Sequence, residues 1–200
     1  MRSNTCKIEK GFKDLGLILK ECDKVAVYNE LSHKQALQLR LLCEDIDGML
    51  PKIIDDFEGI FWIDFENGEC KINISIEFAK FTATKKKELL KLSKNKKNVS
   101  VNGLFSKIGA AIEEFFLDEE NAKAMGLIVD CRQDLAAEGY LDYSYYWSLG
   151  QYKEVATKTK KEEWDEIEKS VILSIADDVI VGVKGTKADI TIIKNFAQNK

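Results

Sequence analysis

Proline and histidine are almost missing from this chain, with one of each, Pro51 and His33, among 200 residues. A single proline argues against long extended linkers. A single histidine excludes most zinc sites, because the five cysteines are scattered (Cys6, Cys22, Cys43, Cys70, Cys131) and form no Cys-x-x-Cys pair. Triads of the Ser–His–Asp or Cys–His kind would have to use His33, and nothing beside it supports them. A phosphate loop ending in lysine and a dinucleotide fingerprint are missing too. The segment "MRSNTCKIEKGFKDLG" lacks the apolar run of a signal peptide. No stretch approaches the ~20 apolar residues of a membrane helix. The expectation is a cytoplasmic protein whose thiols are reduced and buried as small apolar residues.

What is present reads as one globular domain over 1–200: hydrophobic residues make up 45% and charged residues 32%, enough apolar surface for a full core. The net charge of −4 is unevenly spread. Residues 80–107 hold nine lysines against Glu88 alone, +8, which leaves −12 on the rest. Such a block is either a solvated loop or an anion contact. Nucleic acid is the poorer partner for it, since few aromatics are interleaved and the remainder is acidic.

Ser32 followed by Gln35 is a capping box, in which each side chain reaches the other residue's free backbone N–H. The helix it opens carries the stripe Leu39, Leu42, Ile46, Met49, Leu50, Ile53, and Pro51 should kink or end it. Upstream, "LGLILKECDKVAVYNE" predicts a short helix and then a strand near 24–29. In "GIFWIDFENGECKINISIEFA", Asn67-Gly68 is a two-residue hairpin turn, and Cys70, Ile72, Ile74, Ile76 and Phe78 alternate with polar residues as in a half-buried antiparallel strand. Helices are expected over 84–92, 103–116, 120–139 and 160–178, with a partly helical aromatic stretch at 140–156. The chain closes in a second hairpin, with Val179, Val181 and Val183 answered across Gly185-Thr186 by Ile190 and by Ile192 or Ile193. The sum is an α+β two-layer sandwich: a mostly antiparallel sheet of four or five strands, helices on one face, and a helical insert over 118–177.

"LRLLCEDIDGML", the strand "GIFWID", the strand "KINISIEFA" and "NGLFSKIGAAI" resemble, in this order, the histidine-kinase-type (GHKL) ATPase superfamily, within it the anti-sigma-factor kinase branch. The resemblance implies a Bergerat-like fold and a nucleotide site. In the family a helix glutamate positions water and an asparagine four residues on ligates magnesium; Glu44 matches the first, while Gly48 stands in place of the second and Asp47 offers a carboxylate one residue away. The adenine-binding Asp-x-Gly-x-Gly becomes Glu77, Ala79 and Phe81, and the phosphate lid survives as Gly103-Leu104, with Lys97 and Lys107 adding charge. These departures imply a scaffold without ATPase chemistry and with no cofactor. Losing a buried hydrogen bond costs ~1–3 kcal/mol, and micromolar affinity amounts to only ~8 kcal/mol.

The bland readings stand beside these. Glu44 is equally placed to pair with Arg40 one turn back, and Glu77 to be a solvated strand charge. The aromatic group Tyr140, Tyr143, Tyr145, Tyr146, Trp147 and Tyr152 is either insert core or partner surface. The leading expectation is a non-catalytic regulatory protein that binds a protein partner, with a homodimer left open. The alternatives are an ATPase or anti-sigma-type serine kinase using ATP with Mg, and an anion or nucleic-acid binder using the lysine block.

Overall fold

Alternation of apolar and polar residues sets most of the architecture. The computed structural model describes residues 1–9, 15–53, 57–78, 145–150, 171–184 and 186–196. The helices expected over 84–92, 103–116 and 120–139, the lysine block, Cys131 and most of the aromatic stretch lie outside them.

The elements run β1 (Cys6–Glu9), α1 (Leu15–Tyr28), α2 (His33–Ile53), β2 (Phe57–Glu66), β3 (Glu69–Phe78), β4 (Tyr145–Ser148), α3 (Val171–Ile175), β5 (Asp178–Lys184) and β6 (Lys187–Asn195). The strands form one six-stranded sheet, ordered β1-β2-β3-β6-β5-β4, with every neighbouring pair antiparallel. The fold is α+β.

One sheet face is apolar because the strand period is two. Cys6, Phe61, Ile74, Ile190 and Val181 stand side by side across β1, β2, β3, β6 and β5, and Ile63, Ile72, Ile192 and Val179 form the next row. All are buried, in one cluster with Ile18, Cys22 and Val25 of α1, Leu39, Leu42, Cys43 and Ile46 of α2, and Ile172 of α3. The helices therefore cover this inner face.

Two hairpin features follow the sequence closely. Asn67 and Gly68 both take positive φ (52° and 84°), as a tight turn between twisted strands requires. The turn docks on Phe196, whose N–H donates to the Gly68 carbonyl (2.8 Å) and whose ring stacks on Phe65 at 6.3 Å. The capping box also forms. Ser32 N–H donates to Gln35 Oε1 (2.9 Å), Gln35 N–H donates to Ser32 Oγ (3.4 Å), and α2 starts at His33.

Three expectations are corrected. Residues 24–29 are not a strand: α1 continues to Tyr28, because Ile18, Cys22, Val25 and Ala26 lie on one helical face and bury together. The β-branched and aromatic residues Val27 and Tyr28 suggested a strand, yet they are the exposed side of that helix. Pro51 does not end α2, which runs two residues further to Ile53. Within the expected helical insert, Tyr145–Ser148 is a strand paired with β5, so the sheet has six strands rather than four or five.

Candidate functional site

Glu44 lies on α2 with its side chain 40% exposed, and Arg40 Nε donates to it at 3.1 Å. The same guanidinium reaches Asp23 of α1 at 3.2 Å. Asp23 and Glu44 together hold the Arg40 guanidinium above its usual range, Asp23 contributing most. The carboxylate is thus engaged in an ion pair one turn back along α2, and the same arginine joins α2 to α1 through Asp23.

Glu77 sits elsewhere. Cys70, Ile72, Ile74 and Ile76 face the helices, so Lys71, Asn73, Ser75 and Glu77 face the other way. Glu44 follows Cys43, which is buried in one cluster with Cys22 of α1 and Cys70 at the start of β3. Glu77 lies seven residues beyond Cys70, roughly 23 Å further along the strand. Glu44 thus belongs to the helix layer, and Glu77 to the opposite side of the sheet. Asp47 and Gly48 fall within α2. Ala79, Lys97, Gly103, Leu104 and Lys107 lie outside the described residues.

What the structure places around Glu77 is different. An open hollow of about 860 Å³ lies where β1 ends, β2 begins, β3 ends and β6 begins, lined among others by Ile8, Phe57, Gly59, Ile76 and the charged rim of Glu77. Its apolar wall comes from the inner face, and Gly59 leaves a gap in that wall between Phe57 and Phe61. The glycine is required: a Cβ there would stand 2.3 Å from the Ser75 carbonyl oxygen and 2.8 Å from Ile76 Cγ2. The rim comes from the outer face. The register sets Glu9 opposite Glu58, Glu58 opposite Glu77, and Glu77 opposite Lys187. All four are exposed. Among the described residues no side-chain hydrogen bond or ion pair engages them.

At the far end of the same outer face, charges are tied down. Asp64 accepts a fork from Arg2 (Nε 2.7 Å, Nη2 3.0 Å), a bond from Trp62 Nε1 (2.9 Å) and one from Asn73 Nδ2 (3.2 Å). The Arg2 guanidinium stands 5.5 Å from the Trp62 ring centroid, and Thr191 donates to Asn73 from β6 (3.2 Å). The hydrogen bond from Arg2 is the main cause that lowers the Asp64 pKa.

Sequence reasoning found Glu77 but missed Glu9, Glu58, Gly59 and Lys187. The alternation in "CKIE" was a usable signal for β1. The pairing of β1 with β2, which builds the acidic row, is a long-range fact that periodicity does not carry. Among the described residues no group of three or more His, Cys, Asp and Glu side chains is arranged to hold a metal ion, and no helix is long and apolar enough to cross a membrane. No protein-family model, curated protein or solved structure matches the chain.

Proposed function

We propose that this is a non-catalytic regulatory protein that works by binding a protein partner, on a Bergerat-like scaffold of the histidine-kinase type that has lost its nucleotide chemistry. The observation that carries the reading is the separation of Glu44 from Glu77. A hydrolytic site needs its water-activating group and its base-recognising group around one ligand. Here Glu44 is held by Arg40 and Glu77 faces away from the helices. What supports the descent of the scaffold is only the order of helix, tryptophan-bearing hairpin and closing strands. What supports a cytoplasmic setting is that the four described cysteines are buried and form no disulfide with one another. The hollow beside Glu77 is the surface offered to the partner, because its rim charges are exposed and engage no other side chain among the described residues, and its wall is apolar.

The test is a thermal-shift titration with ATP and ADP, with and without magnesium. A nucleotide at 100 times its Kd stabilises a folded protein by about 2.7 kcal/mol. The expected result is no saturable shift. A saturable shift that Glu77→Ala removes would establish the nucleotide-binding alternative instead. If a partner is captured, its retention should fall on Glu58→Lys and Glu77→Lys. A partner indifferent to both places the interface elsewhere.

A further inference from the structure

Among the described residues, β1 is an edge of the sheet, with β2 on one side of it and no strand on the other. An exposed edge presents backbone N–H and C=O groups that can template a further strand. The ladder shows which groups these are. Met1 and Ser3 bond to the backbones of Phe65 and Ile63, so the odd-numbered residues of β2 turn their N–H and C=O groups toward the N-terminal segment. Cys6 stands opposite Phe61, and Ile8 opposite Gly59. In an antiparallel pair alternate residues bond to alternate sides. Cys6 and Ile8 therefore direct their backbone groups to β2, and Lys7 and Glu9 direct theirs outward. Both residues are exposed, and among the described residues no hydrogen bond engages these outward groups. Just upstream the edge is closed instead. Asn4 N–H donates to Glu21 of α1 (3.1 Å), and that buried carboxylate is held by the Asn4 side chain and Lys24.

We propose that β1 pairs antiparallel with β1 of a second copy of this chain, across a two-fold axis that passes beside Ile8 perpendicular to the sheet. Lys7 of each copy then exchanges backbone hydrogen bonds with Glu9 of the other. The two side chains meet as an opposite-charge cross-strand pair, once on each side of the axis. Charge selects this register. Only shifts of two residues keep outward backbone groups facing one another, and a shift either way sets Lys7 against Lys7 or Glu9 against Glu9. The pairing also answers a repulsion within the chain. Glu9 stands opposite Glu58 on one side, and the second copy supplies a lysine on the other. Ile8 is buried on the inner face, and a perpendicular two-fold keeps both helix layers on one side, so apolar and charged faces continue from one sheet into the next. The interface uses the same patch on both copies and closes at two chains. A strand of four residues buries little area, so the dimer is weak and sensitive to salt. The inference is independent of the partner-binding reading. Lys7 and Glu9 also line the hollow, so a captured partner is tested at Glu58 and Glu77, and self-association at Lys7 and Glu9.

Sedimentation equilibrium of the full chain, from about 1 µM to about 1 mM at low salt, reads the mass directly. The expected result is a rise from one chain toward two. Lys7→Glu alone and Glu9→Lys alone each set like charges opposite on both sides of the axis, and each should weaken the dimer about tenfold or more. An equimolar mixture of these two variants should dimerise again, because a chain with two glutamates at the edge then faces a chain with two lysines. The double variant, which exchanges the two charges within one chain, should dimerise with itself. A protein that stays monomeric throughout, assembly beyond two chains, a dimer indifferent to both reversals, or single variants that stay apart when mixed would each overturn the proposal. Rescue by mixing also separates a lost contact from a misfolded variant.

Discussion

The outer face of the sheet handles charge differently at its two ends. Around Asp64, the fork from Arg2 and the donors Trp62 and Asn73 join β2 and β3 to the segment before β1. That segment is also held by backbone bonds, Phe65 N–H to the Met1 carbonyl (2.7 Å) and Ser3 N–H to the Ile63 carbonyl (2.8 Å). Around Glu77, on the same face, three carboxylates stand in a lateral row across β1, β2 and β3. Like charges directly opposite each other oppose strand pairing by roughly 0.2–1 kcal/mol. Strand propensity is shared by both ends and explains neither. The difference is that one end uses charge to hold the chain together, and the other keeps charge available at some cost to stability.

The largest effect should come from Gly59, where the available end meets the core. Gly59→Ala puts a methyl group against the Ser75 carbonyl oxygen, a backbone atom that cannot swing aside. Overpacking of this kind should cost about 3 kcal/mol or more. The measurement is the urea midpoint at unchanged m-value. A loss below ~1 kcal/mol would mean that β2 and β3 can part here, and that the hollow is more adaptable than its wall suggests.

Acid titration tests the held charges together. Arg2 is the main influence on Asp64 and lowers its pKa. Burial alone would raise Glu21 and Asp177, but hydrogen bonds from Lys24 and Asn4 and from Asn195 and Lys194 outweigh it and leave both below the ordinary range. A carboxylate depressed in the folded state contributes stability above its unfolded pKa, about 4, and that stability is lost as pH falls through the lower folded value. Stability should therefore hold near pH 5 and fall steadily below about pH 4. The raised thiols act in the opposite direction: Cys43 and Cys70 contribute stability below about pH 8.5, the ordinary thiol value, and lose it as pH climbs, in the case of Cys70 toward about 12, where burial has pushed it. Denaturant midpoints across both limbs check this. A flat acid limb would show that the outer-face pairs are screened by solvent.

A single substitution at each end separates the two uses of charge. Asp64→Ala strands the Trp62 and Asn73 donors and should cost about 1–2 kcal/mol, reduced by the partial exposure of the site. Glu77→Ala removes an exposed carboxylate that engages no other side chain among the described residues, and should change stability by less than ~0.5 kcal/mol. Equal losses at the two positions would remove the contrast.

Much of this arrangement was legible in the residues, for definite reasons. The Asn67-Gly68 turn, the Ser32–Gln35 cap and the alternation of β3 and β6 are local signals, and each formed as read; β5 formed as a strand, but Val179–Val183 are buried throughout. α1 was misread where Val25, Val27 and Tyr28 carry strand propensity, because burial of Ile18, Cys22, Val25 and Ala26 as one stripe decided the matter. β1 and β4 are each four residues long, too short for a period to emerge, and they form through partners that lie far along the chain. The site suffers the same limit. Glu77 was visible as a strand residue, but its neighbours Glu9 and Glu58 depend on which strands lie side by side.

One small predicted effect has the most informative sign. Glu58 stands between Glu9 and Glu77, so it faces a like charge on both sides. Glu58→Lys turns two repulsive cross-strand pairs into attractive ones and should raise stability by roughly 0.2–1 kcal/mol. The gain should shrink at high salt, because these side chains are exposed. A charge that weakens the fold and gains nothing inside it is worth keeping only for what lies outside. If Glu58→Lys instead destabilises the protein at low salt, the row has an internal partner, and the free end of the sheet is as fully employed as the held one.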